Sequence, residues 1–340
     1  MKMPSLNYII KRIATAFFVV LGVLMLTYVL IYFSPGNPAY TWAGRPRGPK
    51  AEEAIKAAEE ELGLNKPLYL QIYTHINRFF KGDWGLSLRF KQPVLLVVTR
   101  NLVASLELLV VAFSIAIPLG IILGVVSALY RGYLVDKVLY VASLLLISFP
   151  RFWIAILFYV FLQMLGVNLF GRIAPSYMLM VESRVGSYII DSLISGRVEI
   201  FADTLMRALP PAVIVALYPM ALTIRVIRFS ISEKLHEEYV RQAMSYGLSR
   251  SKIVYRYALR GVIPAISQLH GITFAYSIVD TATVENIFGR DGIGSAIVKA
   301  IPYNDYPLII GLLAVSGILF IVVNTVSDII QVISDPRVRI

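Results

Sequence analysis

The chain has 340 residues, 57% of them hydrophobic and only 16% charged, with a mean hydropathy of +0.71. That is too apolar for a soluble domain, in which about a quarter of residues carry charge. The formal charge of +11 does not argue for nucleic acid here, because Lys and Arg collect in the inner loops of membrane proteins. There is no cysteine, so no disulfide, and His75, His236 and His270 lie too far apart in sequence to suggest a metal set.

In chain order, Lys2, Lys11 and Arg12 precede an apolar run over 13–33 that ends in Ser34-Pro35-Gly36-Asn37-Pro38. It is too long for the core of a signal peptide and reads as an uncleaved first span with the amino terminus inside. Residues 34–98 are soluble in character and read as a small external domain: a Gly/Pro-rich piece, a polar Ala/Glu helix over 51–62, an amphipathic run to Phe80, then Gly82-Asp83-Trp84-Gly85. A second span is expected over 102–130, with Pro118 inside, followed by the short basic link 131–137. The third, over 138–167, is interrupted by Pro150-Arg151. After a polar external stretch comes a fourth over 209–227, containing Pro210, Pro211 and Pro219 and closed by Arg225 and Arg228. The fifth and sixth are expected over 265–287 and 308–330, joined by a Gly-rich outer segment, and Arg337 and Arg339 finish the chain inside. The fold class is thus an all-α polytopic membrane protein with six spans and both termini cytoplasmic, as the inner positive charge requires.

Between spans four and five lies a charged island, 233–264. Tyr239, Val240, Ala243, Met244, Gly247 and Leu248 recur at helical spacing, and so do Ile253, Val254, Tyr257, Ala258 and Gly261. Gly247 can end the first helix in the left-handed conformation and Ser249 can cap the second, so the island reads as helix, turn, helix outside the hydrocarbon. A groove-docked helix is one use for such a hairpin. The alternative is an interfacial hairpin whose Lys252, Arg256 and Arg260 face anionic headgroups.

Catalytic patterns are wanting. There is no GxxxxGK[ST] loop, His236-Glu237 is not followed by the second histidine of a zinc-protease helix, and there is no GxSxG. The chain reads as a non-enzyme without cofactor or metal. What remains is charge within spans, which is costly and by default functional. Arg151 either lines a polar path or follows a proline break and pairs with a carboxylate. Asp280 reads as facing a water-lined cavity or an interhelical partner rather than as a simple boundary position, and the two could pair. Glu107 and Glu285, nearer the outer ends, read as hydrogen-bonding the external segments, with Glu285 kept beside Arg151 and Asp280 as a path candidate.

Glu238-Tyr239-Val240-Arg241-Gln242-Ala243, Gly247-Leu248-Ser249 and Ala258-Leu259-Arg260 together resemble the EAA loop of ABC importer permeases. Arg260 stands where most such families have proline, a departure shared by the dipeptide/oligopeptide branch. Leu62-Gly63-Leu64-Asn65-Lys66-Pro67, Gly82-Asp83-Trp84-Gly85-Leu86-Ser87, Ser105-Leu106-Glu107, Val284-Glu285-Asn286-Ile287-Phe288 and Asn304-Asp305-Tyr306-Pro307 resemble further landmarks of its first permease subunit. In Ser148-Phe149-Pro150-Arg151-Phe152-Trp153 the family usually has a small or polar residue where Arg151 stands, which makes Arg151 a candidate for substrate tuning.

The resemblance implies a type I permease fold in a prokaryotic plasma membrane, with a core over 99–331 after the first span (1–33) and external domain, and a cytoplasmic tail over 332–340. It implies a second permease forming a heterodimer, two cytoplasmic ATPases and an external solute-binding protein, with lipid around them. Glu238, Arg241, Ala243, Met244, Gly247, Leu248 and Ser249 would then contact an ATPase. The cargo would be peptide, with oligosaccharide or nickel as alternatives within the same machinery. Outside that family the competing readings are an ion-coupled secondary transporter and a non-transporting scaffold.

Overall fold

The computed structural model describes residues 6–33, 38–44, 46–182 and 184–334. Lys2, the stretch 34–37 closing the first span, and Arg337 and Arg339 lie outside the described residues. Within them the chain is helical, with one isolated bridge, Leu86 to Pro93, and no strand.

Helix α1 (Leu6–Tyr32) runs antiparallel to the last helix, α15 (Tyr306–Ser334): Arg12, near the start of one, pairs with Asp328, near the end of the other. Val20 and Leu24 of α1 pack with Ile310 and Ala314 of α15 and with Phe79. Phe79 belongs to α4 (Leu68–Phe80), which follows α2 (Pro38–Trp42) and α3 (Ala51–Leu62). Helix α3 stops at Gly63, whose φ of 69° is a left-handed cap that glycine adopts without steric cost. Gln71 then closes the turn into α4 by donating to the carbonyls of Leu64 and Lys66. Trp84 stacks on Phe79 at 4.4 Å and donates to its carbonyl. The next turn is tied to the start of α15, since the Ser87 hydroxyl and the Arg89 N–H both donate to Asp305.

Helix α5 (Val94–Leu129) is 36 residues long and begins inside the stretch expected to be external domain. Helices α6 (Leu134–Ser148) and α7 (Arg151–Met164) meet at a 100° bend. The third expected span is therefore two helices. Phe149 and Pro150 are extended, because proline cannot donate to the helix ladder and holds its predecessor out of the α region. After α8 (Tyr188–Ile194), helix α9 (Val198–Lys234) runs for 37 residues through its three prolines.

Helices α5 and α9 lie parallel in close register. A Cβ added at Gly120 would stand 2.7 Å from Thr223 Cβ, and one at Gly124 would stand 2.8 Å from Ile227 Cβ. Glycines four apart remove the side chains that would hold two membrane helices apart. Parallel neighbours need a returning segment, and the bent α6–α7 pair supplies it.

Beyond the island, α10 (Glu238–Ser245) and α11 (Arg250–Ile253) lead to α12 (Ile263–Asp280). The fifth expected span breaks at Thr281 and resumes as α13 (Ala282–Ile287), before α14 (Ile293–Ala300) and α15. Helix α12 packs against α15 through the same device, a Cβ at Gly271 falling 2.0 Å from Ser327 Oγ. Among the described residues four helices are long and apolar enough to cross a membrane, namely those of α1, α5, α9 and α15, and the α6–α7 pair would make a fifth. Helix α12 carries Gln268, His270 and Asp280 and is not among these.

Candidate functional site

The island forms a compact hairpin at the end of α9. Val240 and Ala243 of α10 are buried with Ile253, and Leu235 and Leu248 close the small core from the sides. Gly247 turns the chain at φ 76°, its N–H bonding the Met244 carbonyl at 2.9 Å. The Ser249 carbonyl accepts from the Ile253 N–H at 3.0 Å, and its hydroxyl accepts from the Lys252 N–H. The first helix and the turn thus follow the expectation.

The second helix, expected to be regular, does not. Only Arg250–Ile253 is α-helical; Val254–Ala258 is a π turn and Leu259–Gly261 a 3-10 turn. Two neighbours with different burial partners explain the change. Ile253 belongs to the hairpin core, whereas Val254 and Ala258 pack with Val125, Ala128, Ile227 and Ile231 of α5 and α9. A wide π turn lets the chain serve both, and such turns recur at functional sites.

Of the seven residues expected on the contact face, Glu238, Arg241, Met244, Gly247 and Ser249 are exposed. Ala243 and Leu248 face inward. The outward face also carries Tyr239 and Tyr246, the latter 81% exposed, which the sequence reading did not single out as contact residues. Their signal was present: aromatics flanking a buried Val/Ala stripe on a short helix. Lys252 and Arg260 are exposed, and the side chain of Arg256 lies outside the described ones.

Charged groups in the helical bundle fall into separate clusters. Next to the hairpin, Asp136 at the start of α6 accepts from Arg228 of α9, Ser127 of α5 and the Gly132 N–H. At the opposite end of α5, Glu107 accepts from Arg172 at 3.0 Å, Arg290 at 2.9 Å and Ser187 at 2.7 Å. Both arginines are buried, so two cations share this one carboxylate inside the protein. Close by, Glu285 accepts from the Ser105 hydroxyl at 2.6 Å and the Ser295 N–H at 2.8 Å. It is fully buried, and a Cβ at Gly292 would strike its carboxylate. Glu107 and Glu285 thus bind the segments around 172–187 and 285–295 to α5, and no local pattern marks Arg172 or Arg290 as a counter-charge.

Arg151 and Asp280 do meet. Nη1 of Arg151 is 2.5 Å from Oδ2 of Asp280, and the guanidinium lies 4.6 Å over the ring of Tyr218 in α9. Three helices converge here, at the break before α7, the break after α12 and a point one residue before Pro219.

Long apolar helices, charges paired within the bundle and a helical hairpin projecting from one end define a polytopic helical membrane protein. The chain belongs to the family of binding-protein-dependent transport system inner membrane components, whose model matches residues 116–340, and the companion model of that family's N-terminal part matches residues 5–116. Among curated relatives, it is 31% identical to a dipeptide transport system permease protein of Alkalihalophilus pseudofirmus, over 98% of this chain and 99% of the relative. It is 33% identical to a probable D,D-dipeptide transport system permease protein of Escherichia coli, over 94% of each. A di/tripeptide transport system permease protein of Pseudomonas aeruginosa is 32% identical over 98% of this chain and 99% of its own length.

Proposed function

We propose that this chain is the permease subunit of an ATP-driven importer of short peptides. The observation that carries the reading is the hairpin. Its inner stripe is satisfied within the chain, while its outer face leaves Tyr239, Met244 and Tyr246 exposed beside Glu238 and Arg241. A short helix with that division suits a groove on a partner. The chain has no nucleotide-binding loop, so the partner supplies the energy. Two cytoplasmic ATPases, a second permease and an external binding protein complete the machine, as the family membership supports. Names of the relatives favour peptide over oligosaccharide or nickel as cargo.

On this reading α12 with α13 is a further span, making six. Both termini and the hairpin are cytoplasmic, and 34–98 faces outward in a prokaryotic plasma membrane. Closing of the ATPases on ATP moves the docked α10 as a rigid body, and the bundle exchanges inward- and outward-facing states. The test is Met244→Asp with Tyr246→Asp in the whole complex, measured as ATPase co-purification and ATP-driven peptide uptake in vesicles. Neither side chain is buried, so the fold should persist while both readouts fall at least about tenfold, the loss expected when anchors leave a docked helix. Normal co-purification with normal uptake would refute the docking role.

A further inference from the structure

The Arg151–Asp280 pair differs from the other ion pairs of the bundle in three ways. The first is geometry: Arg151 Nη1 lies close to Asp280 yet makes no aligned hydrogen bond, whereas Arg228 and Arg172 hydrogen-bond their carboxylates. The second is access. The Asp280 side chain is 55% exposed, against 2% for Asp136 and 3% for Glu107. The third is placement against the helix fields. Arg151 is the first residue of α7 and Asp280 the last of α12. A helix start favours anions and a helix end favours cations, so each residue carries the charge its own helix end disfavours.

These features belong to a pair that is open to exchange. An anion reaching Arg151 would also meet the amide end of α7, and a cation reaching Asp280 would also meet the last carbonyls of α12. Stacking on Tyr218 holds the guanidinium in place when its partner changes.

We propose that Arg151 and Asp280 form an exchangeable site for a zwitterion, in which the free carboxylate of a short peptide takes Arg151 and its free ammonium takes Asp280. The inference rests on the peptide-import reading and adds to it a specificity site within the permease. A neutral pair receives a neutral zwitterion, so loading adds no net charge within the membrane. When no peptide is present the two side chains compensate each other, which avoids a lone charge among the helices.

The test uses the reconstituted complex with its own binding protein and three forms of trialanine: free, N-acetylated and C-amidated. Each variant is read as two uptake ratios, free to acetylated and free to amidated. The binding protein is the same throughout, so its own preference cancels between variants. Arg151→Gln should lower the free-to-amidated ratio about tenfold and leave the free-to-acetylated ratio alone, the scale of one charge-assisted hydrogen bond. Asp280→Asn should do the converse. Unchanged ratios in both variants would overturn the proposal. Equal losses for all three peptides, with a fall in assembled complex, would also overturn it by making the pair structural. Absence of ATP-driven uptake of every form by the wild type would remove the peptide-import reading itself, and this site with it.

Discussion

Arg228 holds Asp136 in a two-point grip, Nε to Oδ1 at 2.5 Å and Nη2 to Oδ2 at 2.9 Å, although the two are 92 residues apart in the chain. The same carboxylate takes the Ser127 hydroxyl and the Gly132 N–H, so α5, the 130–133 turn, α6 and α9 meet on one side chain. Asp136→Ala should destabilise the protein by roughly 2–3 kcal/mol, below the ~3–5 kcal/mol of a fully buried pair because Arg228 keeps some contact with solvent. The loss is read as a lower melting temperature of the purified complex. Asp136→Asn keeps an acceptor oxygen for one of Ser127 and Gly132 and should cost less. Equal stability of Asp136→Ala and wild type would show that the grip is dispensable.

The seam between α5 and α9 has no room for a side chain. Gly124→Leu would force its Cβ against Ile227 and the Ile224 backbone, the second of which cannot rotate away. Overpacking of this kind costs ~1–3 kcal/mol where side chains can adjust, and the outcome here should lie at or above the top of that range. Membrane abundance after mild detergent challenge should drop. Gly22→Leu in α1, where an added Cβ meets nothing within 4 Å, is the matched control and should behave as wild type.

Low pH should loosen α4. Burial, with help from the nearby charge of Arg78, lowers the pKa of His75 from 6.5 to about 4. The ring lies tilted against that of Tyr28, centroids 5.3 Å apart, and its Nε2 lacks a hydrogen-bond partner. Above pH 6.5 the imidazole is neutral in both folded and unfolded chains and the packing is undiminished. As pH falls from 6.5 toward 4 the unfolded chain takes a proton that the fold refuses, so stability declines, by at most about 3 kcal/mol. Thermal unfolding followed by the environment of Trp84 should show the decline, and His75→Phe should flatten it over the same window. A wild-type profile as flat as that of the variant would contradict the assignment.

Local features were legible from the residues alone. The Ala/Glu pattern gave α3, and the Gly247 turn and the Val240/Ala243 stripe gave α10, because each depends on neighbours within a turn or two. Arg151 with Asp280 apart, what failed to show was pairing at a distance. Asp136 lies in a basic link, and Arg172 and Arg290 lie in segments that read as external, with nothing local to mark any of them as a partner. A sequence states that Glu107 needs a partner but not which of many arginines reaches it. The proline at 150 announced a break, yet not a right-angled one, since a proline in a membrane helix is compatible with a mild kink. The regular second hairpin helix was a misreading of period. Ile253 and Val254 look like one stripe, but they are claimed by two different cores.

The glycine contacts at 120, 124 and 271 carry a mechanical meaning. They fuse α5 to α9, and α12 to α15, into two stiff struts, because helices seated backbone to backbone cannot slide without lifting apart. An apolar groove of about 840 Å³ runs along the join of those struts, between Phe113, Pro118, His270, Phe274 and Val326. Rearrangement of the bundle therefore has one cheap degree of freedom, a scissoring of strut against strut that opens or shuts that groove. Its resistance is set by apolar contacts and by the Thr223–His270 hydrogen bond that joins α9 to α12, so side-chain volume along the groove is one dial for how stiffly the chain answers a push from the hairpin.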